Sequence, residues 1–252
     1  MATHQLTFRG QFGDQLAARL DVPDEGETRG HVLFAHCFTG SKDVLAATRI
    51  AKALWLRGFA VFRFDFTGLG DSEGDFANTT FSSNVGDLVA AAEFLRDEFG
   101  PVSTLVGHSL GGAAVLAAAH KIPEAKAVCT IGAPAEPAHV AHHFAAARDE
   151  IEAEGEAEVS IGGRPFRIKK SFLEDIEQHR LDDYVRKMNK SLLIFHSPVD
   201  DVVGIENARH IYEAARHPKS FISLHGADHM LTARDDAYYV AEVISAWATR
   251  YA

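Results

Sequence analysis

Short runs rich in Val, Ile and Phe alternate with longer segments of helical period, which predicts a mostly parallel sheet covered by helices. Thr3 to Phe8 and Gln15 to Val22 form two antiparallel starter strands turned through Gly10 and Gly13, with Pro23 closing the second. His31 to Ala35, Ala60 to Asp65, Ser103 to Gly107 and Ala127 to Ile131 follow as strands. Between them lie predicted helices over Asp43 to Arg57, Phe81 to Phe99 and Ser109 to His120. After Pro134 and Pro137 the rhythm breaks, and a strongly apolar strand resumes only at Ser191 to His196. Residues 135–190 are therefore expected to be a small helix-plus-hairpin cap inserted over the carboxyl ends of the strands. Within it a helix runs from His139 to about Glu154, and Gly162-Gly163 marks a hairpin between Val159, Ile161, Phe166 and Ile168. Helices at Phe172 to Gln178 and Leu181 to Met188 lead back. The helix Ile205 to Ala215, strand Phe221 to Leu224 and helix Asp235 to Arg250 complete an α/β chain of one domain, 1–252, with eight strands.

Composition narrows the partners more than the fold. Across 252 residues the net charge is −10, and no dense Lys/Arg run is available to track a phosphate backbone, so nucleic acid is not expected as a partner. Met1 to Gly10 is polar, and no stretch approaches the roughly 20 apolar residues of a membrane span; a cytoplasmic location without membrane contact is the expectation. Cys37 and Cys129 sit near the ends of apolar runs and read as free, packed thiols. The oligomeric state stays open, a homodimer being one expectation.

The candidate chemistry centres on Gly107-His108-Ser109-Leu110-Gly111, a GxSxG pentapeptide between a strand and a small-residue helix. A sharp strand-to-helix turn exposes the serine, and glycines flank it because larger side chains would clash with the crossing backbone. Serine is a poor nucleophile until a base takes its proton, so a histidine and an orienting carboxylate should follow in the chain. His229, in the loop before the last helix, fits the base. Asp200 and Asp201 compete for the acid in the loop after Ser191 to Phe195; Asp200 is preferred, with Asp201 facing solvent or capping the next helix, and Asp228 a loop hydrogen-bonder. A tetrahedral intermediate needs two backbone amides for its oxyanion, one being that of Leu110. The second is assigned to Phe38, in His36-Cys37-Phe38-Thr39-Gly40 after the third strand. Cys37 lacks an elbow of its own. Phe144, Phe166 and Phe172 of the cap, with Met230, are expected to line an acyl pocket.

Assembled, these residues make the chain resemble the α/β-hydrolases over essentially its whole length. A closer resemblance is to the hydrolase half of bacterial fusions with an OsmC-like domain. It is carried by His36-Cys37-Phe38-Thr39 with Ser41-Lys42-Asp43, by Phe64-Asp65-Phe66-Thr67-Gly68-Leu69-Gly70 with Ser72-Glu73-Gly74, and by Phe81-Ser82-Ser83-Asn84-Val85. The chain ends at Ala252 directly after its last helix, which leaves open a stand-alone enzyme or an excised domain. The resemblance implies the α/β-hydrolase fold, a Ser109-His229-Asp200 triad, no cofactor, and hydrolysis of a small-molecule ester with a short, medium or aromatic acyl group. A thioesterase, perhydrolase or acyltransferase could use the same triad, and a ligand-binding module could keep the fold without turnover.

Three other features read as structural. The turn Asp65 to Ser72 lacks the Lys and the immediate helix N-terminus of a phosphate cradle, so Asp65 and Ser72 are expected to tie it together. His139, His142 and His143 have metal-ligand spacing without an accompanying carboxylate or thiol motif, so no metal site is expected. The acidic run from Asp149 to Glu158 reads as a solvated cap edge.

Overall fold

A computed structural model describes residues 2–23 and 28–252. In chain order the elements are β1 (Ala2–Arg9), β2 (Gln15–Val22), β3 (His31–Ala35), α1 (Leu45–Leu56), β4 (Ala60–Phe64), α2 (Phe81–Glu98), β5 (Val102–His108), α3 (Leu110–Ala118) and β6 (Ala127–Ile131). After a 3-10 segment, Pro137–Ala147, come α4 (Arg148–Glu154), β7 (Glu156–Ile161), β8 (Arg164–Lys169), α5 (Lys170–Gln178) and α6 (Leu181–Lys187). The chain closes with β9 (Ser191–His196), α7 (Glu206–Ala214), β10 (Lys219–Ser223) and α8 (Arg234–Ala248).

Eight strands form one sheet in the order β1-β2-β4-β3-β5-β6-β9-β10. β2 is antiparallel to both β1 and β4, and every other pairing is parallel. Strands β4, β6 and β9 are buried at every position because helices cover both faces, which is why they read as unbroken apolar runs rather than alternating ones. One face packs on α1 and α8, and the other on α2, α3, α7 and the cap helices. Order reverses about β3: the chain goes out to β4 on one side and returns to β5 on the other, opening a crevice at the carboxyl ends of these strands.

The insertion carries the second, two-stranded sheet, β7 and β8, joined at Gly162 and Gly163 with φ of +58° and +77°, as a two-residue hairpin turn requires. The helix expected over His139 to Glu154 is instead split. Pro137 starts a 3-10 segment, and Phe144 leaves helical geometry at φ −132° with its ring buried; regular helix begins only at Arg148 and ends at Gly155. Hydrogen bonds that pin the cap to the body include those from Ser82 Oγ to Asp175, from Lys169 Nζ to Asn78, from Arg164 to the Thr39 carbonyl and from His139 Nε2 to the Val202 carbonyl.

A buried ionic cluster supports the crevice. Arg63 on β4 pairs with Asp21 on β2 at 2.8 Å and also donates to the Lys42 carbonyl. Lys42 Nζ reaches Asp65 at 2.8 Å and Asp71 at 2.6 Å, while the Ser72 hydroxyl donates to the Asp65 carbonyl at 2.6 Å. The segment after β3 and the glycine-rich turn after β4 are thereby locked to each other. Removing one member of a fully buried pair leaves the other charge uncompensated, at a cost of about 3–5 kcal/mol. Arg63→Met should lose stability of that order in urea unfolding, and adding Asp21→Leu should recover part of it. A loss below about 1 kcal/mol, the size of an exposed pair, would count against this role.

Candidate active site

Ser109 stands between β5 and α3 at φ +55° and ψ −126°, a conformation that L-residues rarely adopt. The packing around it leaves no freedom to relax. A Cβ on Gly107 would lie 2.3 Å from the Gly111 carbonyl oxygen, and one on Gly111 would lie 2.4 Å from that of His36. The first turn of α3 therefore crosses directly over the ends of β3 and β5, and the hydroxyl of Ser109 is lifted out at the crevice.

His229, in the loop between β10 and α8, places Nε2 2.9 Å from Ser109 Oγ and Nδ1 2.8 Å from Asp200 Oδ2. Asp200, in the loop after β9, also accepts at Oδ1 from the N–H groups of Val203 at 2.8 Å and Val202 at 3.0 Å. Burial pushes its carboxyl up, but the His229 hydrogen bond and these two amides outweigh burial, and the group lies below its ordinary value. A carboxylate can only accept, so Nδ1 carries the proton and Nε2 presents a lone pair to the serine hydroxyl. Asp201 is exposed, and Asp228 accepts from the Thr232 amide at 3.1 Å.

Three further histidines brace this arrangement. His108 Nε2 donates to the His229 carbonyl at 2.7 Å, His196 Nε2 to the Val203 carbonyl at 2.7 Å, and His36 Nδ1 to the Cys37 carbonyl at 2.8 Å. All three rings are buried, and burial lowers their pKa, that of His108 to about 4.

Leu110 is the first residue of α3, so its N–H has no carbonyl behind it within the helix and carries part of the positive end of the helix dipole. Phe38 lies in the turn closed by Gly40 N–H on the Cys37 carbonyl at 3.0 Å, and Thr39 in that turn has φ +56°. Both Cys37 and Cys129 are free and buried; burial pushes the Cys37 thiol up to about 11, which keeps it un-ionised.

A cavity of about 380 Å³ opens onto Ser109 and His229. The body supplies Cys37, Phe38, Thr39, Val44 and Met230, as expected for Met230, but the cap wall is His143, Ile161, Gly162 and Arg164. The three cap phenylalanines are not on it, which corrects the expectation. Phe144 and Phe172 are 3% and 2% exposed, and the Phe172 ring packs 5.6 Å from that of Phe38 and 6.2 Å from that of Phe144. Phe166 packs 5.1 Å from Phe76 and lies under the Arg164 guanidinium at 5.3 Å. A small insertion has little interior of its own, so its largest apolar side chains are spent on docking it to the body. Arg164 carried no motif, its one available signal being its position directly after the Gly162-Gly163 turn, and His143 was singled out only for the metal-ligand spacing it shares with His139 and His142. The rings of His139 and His142 meet edge-on at 4.5 Å and those of His142 and His143 are tilted at 4.4 Å, and among the described residues no group of His, Cys, Asp and Glu is placed to hold a metal ion.

Fold and site geometry define an α/β hydrolase. Residues 32–249 match the Alpha/beta hydrolase family, and the chain belongs to it. It is 51% identical, with a TM-score of 0.81 over 100% of this chain and 99% of the other, to the esterase domain of a Rhodothermus marinus protein. It is 25% identical over 222 residues to the mitochondrial palmitoyl-protein thioesterase ABHD10 of Mus musculus, covering 85% of this chain and 73% of that protein. To the Homo sapiens protein of the same name it is 30% identical over 170 residues, 63% of this chain and 52% of that protein. Among the described residues no helix is long and apolar enough to cross a membrane.

Stability should follow the buried imidazoles. Their folded pKa values lie below the ordinary 6.5, so on acidification the unfolded chain takes up protons that the folded chain refuses, and stability falls with pH. For His108 the window runs from 6.5 down to about 4, with a limiting slope of ~1.4 kcal/mol per pH unit. Asp87, whose carboxyl burial raises, acts in the opposite sense. The urea midpoint should drop between pH 7 and pH 5, and His108→Gln, a neutral donor at both, should shrink the drop. Coincident midpoints at the two pH values would sink the claim.

Proposed function

We propose that the chain is a carboxylic ester hydrolase that works through an acyl-enzyme on Ser109. One observation carries this: the unbroken hydrogen-bonded chain from Ser109 Oγ through His229 to Asp200, at 2.9 and 2.8 Å. Ser109 Oγ attacks the scissile carbonyl as His229 Nε2 takes its proton, and the anionic Asp200 stabilises the imidazolium at Nδ1. The N–H groups of Leu110 and Phe38 receive the oxyanion; removing one such donor costs about 10² to 10³ in rate elsewhere. Collapse of the intermediate expels the alcohol, protonated by His229, and water repeats the cycle to release the acid and restore Ser109.

The 51% identity to an esterase domain supports oxygen esters as substrates. Similarity to a palmitoyl-protein thioesterase supports a second reading, thioester cleavage on the same residues. The cavity of about 380 Å³ lies within the 300–1,000 Å³ range of small-molecule sites, which supports short, medium or aromatic acyl groups as substrates.

A series of p-nitrophenyl esters and matched acyl thioesters tests both readings. Ser109→Ala should lower kcat by at least about 10³-fold, and Asp200→Asn by about 10⁴-fold if the wrong tautomer results, as in a serine protease. Retained turnover in Ser109→Ala would end the proposal. Competition among water, alcohol and peroxide as acyl acceptors separates hydrolysis from acyltransfer or perhydrolysis. Failure of a fluorophosphonate probe to label Ser109 would favour a binding module.

A further inference from the structure

Arg164 is the first residue of β8, directly after the Gly162-Gly163 turn, so the hairpin tip holds its guanidinium over the crevice. Two contacts orient it. It donates to the Thr39 carbonyl, and it lies over the Phe166 ring at 5.3 Å. Its neighbour Arg167 pairs with Glu156 at 3.0 Å, whereas among the described residues Arg164 has no carboxylate within 4.0 Å. A guanidinium is always charged and presents five N–H donors in a fixed fork, so the Thr39 contact leaves most of that capacity unused.

Among the described residues, no Asp or Glu lines the cavity that Arg164 shares with Ser109. The acid hydrogen-bonded to His229, Asp200, is only 2% exposed and is turned to that imidazole. Burial, with His142, His139 and His229 nearby, holds the His143 imidazole below its ordinary value, so at neutral pH Arg164 is the fixed charge of the wall. In a chain of net charge −10, the catalytic cavity is thus a local region of opposite sign.

We propose that Arg164 selects ester or thioester substrates that carry a carboxylate within a few bonds of the scissile carbonyl. The proximity follows from Thr39, whose carbonyl holds the guanidinium one residue beyond Phe38, the proposed oxyanion donor. The fork of Arg164 matches a carboxylate in shape and in single charge, and among the described residues it is the one Lys or Arg side chain lining the cavity, which balances a monoanion rather than a dianion. Fixed in place by Phe166 and Thr39, the side chain gives up little conformational freedom on binding. The inference rests on the hydrolase reading above and adds the substrate class to it.

Two pairs of substrates test it, with each rate divided by that for hydroxide-catalysed hydrolysis. p-Nitrophenyl hemiglutarate against p-nitrophenyl valerate places the carboxylate on the acyl side; 4-carboxyphenyl acetate against 4-methylphenyl acetate places it on the leaving group. The wild-type protein should favour the charged member of at least one pair by about 10-fold or more in kcat/KM, the scale of a charge-assisted hydrogen bond. Arg164→Gln should erase that ratio, and Arg164→Lys should keep part of it. A wild-type ratio near one in both pairs overturns the proposal. So does an Arg164→Gln variant that slows charged and neutral esters equally, because Arg164 would then only hold Thr39. If no ester is turned over in a Ser109-dependent way, the hydrolase reading itself falls, and the substrate class with it.

Discussion

The absence of room for a Cβ where α3 crosses the strand ends is the constraint on which the site depends. Glycines at 107 and 111 bring backbone to within van der Waals contact of backbone, and a Cβ on Gly112 would lie 2.5 Å from that of Ala133. Only with that approach does Ser109 take its φ of +55°, and only in that conformation do its hydroxyl and the Leu110 amide face one crevice. The energy for holding a strained residue comes from the surrounding burial: every residue of α3 is buried, between the sheet on one side and α2 and α6 on the other. Larger side chains along Leu110 to Ala118 would push the helix off the sheet and relax the turn, so the Ala-rich composition of α3 is a positional requirement.

Electrostatically the site is built from one charged carboxylate and several neutral rings. Asp200 keeps its charge because three donors face it, whereas His36, His108 and His196 are kept uncharged by burial and each donates one hydrogen bond to a backbone carbonyl. Cationic rings at those places would compete with His229 for the field of Asp200. Neutral rings instead fix the loops that carry His229, Asp200 and Phe38 without adding charge. The cost is visible: the Nδ1 atoms of His108 and His196 are buried without a hydrogen-bond partner.

The sheet was legible in the sequence because burial on both faces writes strands as short unbroken apolar runs; β3, β6 and β9 begin and end where those runs do. The three residues now joined by hydrogen bonds were legible too, because chain order and loop position single out one histidine of fourteen and one of two adjacent aspartates. The cap was not. Its aromatics look the same in sequence whether they face a ligand or the protein interior, and Phe144 and Phe172 are buried, Phe172 against Phe38 of the body. Nor was the Arg63, Asp21, Lys42 and Asp65 cluster, whose members are brought together by lateral strand pairing. Its one trace was an arginine inside the otherwise apolar run Ala60 to Phe64.

That cluster and the cap hairpin grip the same short segment from opposite sides. Lys42 and its carbonyl are held from below by Asp65 and Arg63, while the Thr39 carbonyl is held from above by Arg164. Phe38 lies between, its ring 5.6 Å from Phe172 of the cap. The amide proposed to bind the oxyanion is therefore positioned jointly by the sheet and by the insertion. A cap so placed cannot vary as an independent module: a substitution at the hairpin tip alters both what enters the cavity and the backbone geometry beside Ser109. Substitution of Arg164, which both lines the cavity and holds this segment, should for that reason change specificity and rate together.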